Sequence, residues 1–186
     1  YSFLYISNMT NDNLSNDWKR WFHDNGTRLL LFARSKTKNE QDAQDVFQEA
    51  ILRLWKSYSN KTEGFSPPQL PLAFTAIRNT AIDLARKTNR RQTREQNSDQ
   101  VFRESEQLVN WFGSSSIIEK ERADEVTKAL KKIPEKFRDV ITLKIWGDLT
   151  FLEISTTLNI PANTAASRYR YALEALRKTL KPNTHW

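Results

Sequence analysis

Residues 147–161 read GDLTFLEISTTLNIP, and their reading decides the fold. Gly147, Asp148 and Leu149 make a turn, Thr150 is a natural helix N-cap, and Glu153 stands three residues on, which is the pattern of a capping box. The helix opened there turns Phe151, Ile154 and Leu158 to one side. Asn159, Ile160 and Pro161 then turn the chain into a final helix starting near Ala162. Two helices joined by a tight turn form a helix-turn-helix, whose second helix suits the DNA major groove.

The final helix carries two faces. Ala165, Tyr169, Ala172, Leu173, Leu176 and Leu180 form an apolar stripe, and Asn163, Thr164, Ser167, Arg168 and Tyr171 lie opposite, pointing away from the core. Short polar groups and an arginine near a helix N-terminus reach base edges and phosphates, and Arg170, Arg177 and Lys178 add charge for the DNA backbone. A solvated outer face is the ordinary alternative for such residues, and the capped helix and turn ahead of them favour DNA reading. Upstream, Phe137, Val140, Ile141 and residues 143–145 predict a buried helix. This block is expected over residues 117–182, with turns at Pro134, Gly147 and Pro161.

A separate helical block is expected over residues 10–91, and a linker over 92–116, where polar residues, Gly113 and three serines replace the helical pattern. In the first block, a helix from Glu40 to Lys56 buries Ala43, Val46, Phe47, Ala50, Ile51, Leu54 and Trp55. Its other face holds Asp42, Asp45, Gln48 and Glu49 with Leu52 among them. An apolar side chain inside an acidic patch of a basic protein is economically explained as a protein-binding surface, with a solvated acidic face as the alternative.

Residues 56–71 break the periodicity with Gly64, Pro67 and Pro68, and are read as a loop. The next helix starts with Pro71 at its first position and buries Phe74, Ile77, Ala81 and Leu84. Asn79, Asp83, Arg86, Lys87 and Arg90 lie on or beside its other face, and a loop holding Tyr58, Asn60, Lys61 and Phe65 precedes it. Such a basic helical end beside aromatics fits a nucleic-acid backbone and unstacked bases; the aromatics fit a core equally well.

Composition agrees with an anionic partner. Twenty-nine Lys and Arg stand against 22 Asp and Glu in 186 residues, a net charge of +7 with a pI near 9.7. No cysteine is present, which excludes disulfides and thiolate zinc sites, and two distant histidines make a poor metal pair, so no cofactor is implied. No apolar run approaches the roughly 20 residues of a membrane span. Residues 1–7 are apolar without a basic leader and are read as an extension ahead of Met9. Four glycines, six prolines and no sustained alternation give an all-α class with two small helical domains.

The stretch DAQDVFQEAILRLW at 42–55 closely resembles the second conserved region of extracytoplasmic-function sigma factors. AIRNTAID at 76–83, followed by basic residues, resembles the promoter-melting part of that region. IPEKFRDV at 133–140, continuing through Leu149-Thr150 and Glu153-Ile154 to Ser167-Arg168, is similar to the fourth region. The resemblance spans nearly all of 29–180, and both motifs occur in the family's order. Departures are Ala166, where members often carry a lysine, Ala162-Asn163 after Pro161, and the Pro67-Pro68 pair.

The resemblance implies a region 2 bundle and a region 4 helix-turn-helix on a flexible linker, in a cytoplasmic, non-enzymatic factor. It further implies that Asp42, Asp45, Gln48, Glu49 and Leu52 bind core RNA polymerase at the clamp helices of the largest subunit, with region 4 on the flap of the second-largest. Tyr58, Asn60, Lys61, Phe65, Asn79, Asp83, Arg86, Lys87 and Arg90 would engage the melted minus-10 element of promoter DNA. Asn163, Thr164, Ser167, Arg168, Arg170 and Tyr171 would read the minus-35 duplex. An anti-sigma factor, which would hold the chain at a membrane without insertion, is a further implied partner.

Two rivals compete with this reading. A self-sufficient helix-turn-helix regulator would bind duplex DNA without polymerase. A metal-dependent nuclease would use Glu40, Asp42, Asp45 and Glu49 around Mg²⁺, although carboxylates in a row on one exposed helix face lack the cleft that such chemistry needs.

Overall fold

A computed structural model of the chain describes residues 16–59, 67–95, 126 and 128–180. The expected linker beyond residue 95, the extension at residues 1–7, and Asn60, Lys61 and Phe65 lie outside them.

The described residues are helical, without strands. Helices α1 (Asn16–Lys36), α2 (Glu40–Ser59) and α3 (Leu70–Glu95) form the first module. Leu29, Phe32 and Ala33 of α1 repeat at helical spacing and are buried. They meet Val46, Phe47, Ala50 and Leu54 of α2, and Ala73, Phe74 and Ile77 of α3. Phe32 and Phe74 cross edge to face at 89°, with ring centroids 5.2 Å apart, the arrangement that aromatic quadrupoles favour. Asn39 starts α2 by accepting the Asp42 amide at 2.8 Å and donating to the Asp42 carboxylate at 3.0 Å.

Helices α4 (Glu135–Ile145), α5 (Phe151–Leu158) and α6 (Ala162–Leu180) form the second module, preceded by helical residues 128–132. The expected capping box is present: the Glu153 amide donates to the Thr150 hydroxyl at 3.2 Å, and the Thr150 amide donates to the Glu153 carboxylate at 2.7 Å. Those bonds to Thr150 also hold the Glu153 carboxyl below the usual carboxylate range. In the turn ahead of it, the left-handed residue is Asp148, at φ 54°, not the glycine. Gly147 answers a different need, since a Cβ there would lie 2.5 Å from the Leu143 carbonyl oxygen and 3.1 Å from the Phe74 ring. Asn159, at φ 53°, closes α5 in the same left-handed form.

Several boundaries and faces differ from expectation. The predicted loop over 56–71 is shorter, because α2 runs through Ser59: Tyr58 extends its apolar side and packs edge-on to the buried Trp18, 6.4 Å away. Pro71 is the second residue of α3, not the first, and α3 continues past Arg91 to Glu95. Ile145, expected inside, is 54% exposed as the last residue of α4. Leu173 and Leu180 are each 41% exposed. The inner face of α6 is narrower than the predicted stripe and centres on Ala165, Tyr169, Ala172 and Leu176, which leaves Leu173 on its shoulder and Leu180 at the helix end.

The modules are docked on one another. Phe74 and Ile77 share a buried cluster with Leu143, Leu149, Ile154 and Leu158 of the second module. Leu31 of α1 packs against Leu130, Ile133, Ile141 and Ala172. The Thr157 hydroxyl reaches the Pro71 carbonyl at 3.5 Å. The Lys36 ammonium donates to both oxygens of Asp139, at 3.0 and 3.1 Å, and bonds to Glu135. Phe74 thus belongs to a buried cluster drawn from both modules.

Candidate protein and nucleic-acid interfaces

The outer face of α2 forms as its periodicity predicts. Asp45 and Glu49 are exposed, while Asp42, Gln48 and Leu52 are half-buried. Leu52 is thus less prominent than the sequence implies, and Asp42 is partly committed to the Asn39 cap. Gln41 donates to Asp45 at 3.2 Å, and Arg53 donates to Glu49 at 2.8 Å. The carboxylates of the nuclease alternative are similarly engaged, Glu40 accepting Arg34 at 2.6 Å.

Arg53 was not singled out in the sequence, yet it joins two candidate surfaces. Its guanidinium lies 3.7 Å from the carboxylate of Asp83 on α3, and Arg86 lies 4.0 Å from the other oxygen of that carboxylate. Glu49, Arg53, Asp83 and Arg86 form a row of alternating charge across α2 and α3. The hydrogen bond to Glu49 pushes the Arg53 guanidinium pKa up from its already high ordinary value. Each link is exposed, so the row orders side chains more than it stabilises the fold. The Glu49-to-Arg53 spacing of four residues was the available signal; the jump to α3 had none.

On α3, Asn79, Asp83, Arg86 and Arg90 follow one another at four- and three-residue steps and are exposed, with exposed Lys87 beside them. Tyr58 is not brought to this stripe's surface; it is half-buried against Trp18.

On α6, Asn163, Arg170 and Tyr171 are exposed, and Thr164, Ser167 and Arg168 are half-buried. Five of these six line a groove of about 370 Å³ with Lys136 and Phe137 of α4; Arg170 stands outside it, 3.5 Å from the Ser167 hydroxyl. The Phe137 and Tyr171 rings are 5.9 Å apart, and the Lys136 ammonium sits 5.0 Å from the Phe137 ring centre. Phe137 was expected in the core and Lys136 was not considered. Their approach to α6 arises between residues 26 to 35 positions apart, which periodicity does not report. On the opposite side of α6, Tyr169 packs against Phe151 at 5.7 Å, which sets the roll of the helix and so the residues it shows to solvent.

These surfaces combine a capped helix-turn-helix with a three-helix module bearing an acidic face and a basic stripe. Comparison with known proteins agrees. Residues 21–91 match the family described as Sigma-70 region 2, and residues 129–178 the family described as Sigma-70, region 4. The chain is 28% identical over 169 residues to the ECF RNA polymerase sigma factor SigL of Mycobacterium tuberculosis, a match covering 86% of each chain. It is 29% identical over 151 residues to the RNA polymerase sigma-H factor of Pseudomonas aeruginosa, covering 76% of this chain and 75% of that protein. A shorter match, 36% identical over 66 residues, joins 36% of this chain to 35% of the ECF sigma factor SigW of Bacillus subtilis. Among solved structures, it is similar to the sigma factor RpoE of Bartonella quintana, crystallised with the anti-sigma factor NepR. That likeness has a TM-score of 0.66 at 23% identity and covers 90% of this chain and 98% of that one. With both sigma-70 regions present in order on an all-α scaffold, the chain belongs to the extracytoplasmic-function sigma factors, a family of bacterial transcription initiation factors.

Proposed function

We propose that this chain binds core RNA polymerase and directs it to promoters by reading a minus-35 duplex with α6 and capturing opened minus-10 bases with α3. The observation that carries this is the capped helix-turn-helix, which turns Asn163, Thr164, Ser167, Arg168 and Tyr171 toward one open groove. Arg168 and Arg170 supply the charge that base edges and phosphates require.

On this reading, residues 10–91 are the polymerase-binding and melting module, 92–116 the linker, and 117–182 the duplex-reading module. Asp45, Gln48 and Glu49, flanked by Asp42 and Leu52, meet the clamp helices of the largest polymerase subunit, and the second module sits on the flap of the next largest. Asn79, Asp83, Arg86, Lys87 and Arg90, with Asn60, Lys61 and Phe65 of the preceding segment, hold the displaced strand. Trapping flipped bases offsets an unstacking cost of a few kcal/mol, so the step needs no nucleotide hydrolysis and no catalytic residue in this chain. The factor works in the cytoplasm and is held in reserve by an anti-sigma factor, a reading supported by the similar RpoE having been crystallised in complex with one. No helix among the described residues is long and apolar enough to cross a membrane.

In vitro transcription with purified core polymerase on a genomic DNA library tests this. The expected outcome is initiation at a discrete promoter set only when the chain is added. A gel shift of the chain without core polymerase separates the rival: tight, specific duplex binding by the chain alone would replace this proposal with a stand-alone regulator.

A further inference from the structure

The groove on α6 changes character along its length. Asn163, Thr164, Ser167 and Arg168 line its first part, and the Phe137 and Tyr171 rings stand at its far end, tilted by 41° with centroids 5.9 Å apart. Those rings come from different helices, so this aromatic end is a product of how α4 packs on α6. Tyr171 is 59% exposed, while Tyr169, two residues earlier, turns inward to Phe151. One tyrosine of α6 therefore supports the fold, and the other holds its ring out to solvent. Lys136 and Arg168 are the charged residues of the lining, which among the described residues contains no carboxylate. The Lys136 ammonium stands 5.0 Å from the Phe137 ring centre, beside the aromatic end.

An arginine and a pair of rings ask different things of a base edge. A guanidinium pairs with the O6 and N7 acceptors of guanine, whereas a ring face gains from apolar contact, and the apolar group that a base pair displays in the major groove is the 5-methyl of thymine. Cytosine lacks that methyl and would leave the rings partly in water. Spacing agrees with a guanine and a thymine read side by side. From Asn163 to Tyr171 the lining follows α6 for about 12 Å, at about 1.5 Å per residue. That is the reach of three to four base pairs at roughly 3.4 Å each. Tyr171 lies three residues beyond Arg168, about 4.5 Å along the helix, which is one to two base pairs on.

We propose that the Phe137–Tyr171 pair reads the methyl group of a thymine one or two base pairs from the guanine met by Arg168, and that Lys136 holds the phosphate beside it. This rests on the function proposed above and names the base that one part of the groove selects. The reading is shared between helices: α6 supplies one ring, and α4 supplies the other together with the cation. Contact with a ring already paired to Phe137 costs little ordering, because the Tyr171 side chain has a packed neighbour before DNA arrives. The lysine adds charge without base preference, since phosphate contacts position a protein on DNA and do not distinguish sequences.

The test uses core polymerase carrying the full chain and a promoter recovered by the transcription assay, with its minus-35 element randomised. Selection of bound duplexes is expected to return a guanine with a thymine one or two pairs away. Replacing that thymine by deoxyuridine, which lacks only the methyl, should weaken binding about fourfold, the contribution of one buried methyl group. Tyr171→Ala should abolish the sensitivity to deoxyuridine, and Tyr171→Phe, which keeps the ring, should preserve it. Lys136→Ala should weaken all selected duplexes alike and lower the salt dependence by about one phosphate contact. Absence of a selected thymine overturns the proposal, as does a deoxyuridine effect that Tyr171→Ala leaves intact or Tyr171→Phe removes. A pool with no minus-35 preference at all defeats the proposed function, whereas a guanine preference that Arg168→Ala removes, without a thymine beside it, defeats the thymine reading alone.

Discussion

The two modules are built with different reserves. The first packs three long helices around large aromatics, with Trp18, Phe32, Phe47 and Phe74 all nearly or fully buried. The second is smaller, and its own cluster holds Leu130, Ile133, Ile141 and Ala172 without a fully enclosed aromatic side chain. Val140, Leu143, Leu149, Ile154, Leu158 and Ala165 instead belong to a cluster that includes Phe74 and Ile77 of the first module. The difference teaches that a helix-turn-helix unit of this size has too little core to be indifferent to its neighbour. The first module gives the second part of its interior.

The strongest way to break this comparison is Phe74→Ala. Removing a fully buried aromatic ring should cost about 3–5 kcal/mol. Thermal melting followed by probes on each module should show both affected; a loss confined to α1, α2 and α3 would mean the second module is self-sufficient.

Gly147→Ala should cost about 1–3 kcal/mol through overpacking against Phe74 and the Leu143 carbonyl. In the Phe74→Ala background the penalty should shrink without vanishing, because the carbonyl contact remains. A double-mutant cycle on denaturation midpoints reads the coupling directly.

Arg168→Ala acts on the proposed reading surface and not on the core. It should weaken use of the minus-35 element by about 1–3 kcal/mol in promoter competition assays, with the melting temperature unchanged.

Thr150→Ala should remove about 1 kcal/mol of cap stabilisation at neutral pH. Because the folded state lowers the Glu153 pKa, the carboxylate's share of the cap is present above the ordinary carboxylate value and is lost as pH falls through the lowered one, while the Glu153 amide bond to the Thr150 hydroxyl remains. Urea midpoints of the two proteins should therefore stand furthest apart at neutral pH and draw closer, without meeting, as the pH falls below the ordinary carboxylate range.

Gln48→Ala with Glu49→Ala sharpens the contrast from the other side. Stability should move by no more than about 0.5 kcal/mol, as expected for surface positions, while a pull-down with core polymerase should fail.

Much of the fold was legible because helices announce themselves locally. The Thr150–Glu153 cap, the Asn159 turn and the stripe on α2 each depend on residues within a turn or two, and each appears where the pattern placed it. The candidate surfaces were equally legible as faces, since an exposed face is the complement of a buried one. Errors gathered where local pattern ends: Tyr58 read as loop, Ile145 as core, and Leu173 as part of a stripe that proved narrower.

By itself, then, the sequence determined the helices, their caps, the basic character of the chain and which residues each helix could show to solvent, because all of these follow from composition and from neighbours three or four positions away. The tertiary structure alone decided that Phe74 would serve two cores, that Lys136 and Phe137 would border the α6 groove, and that Lys36 would meet Asp139 across 103 positions. Such pairings depend on how finished helices pack, and no periodicity in the chain encodes the angle at which two of them cross.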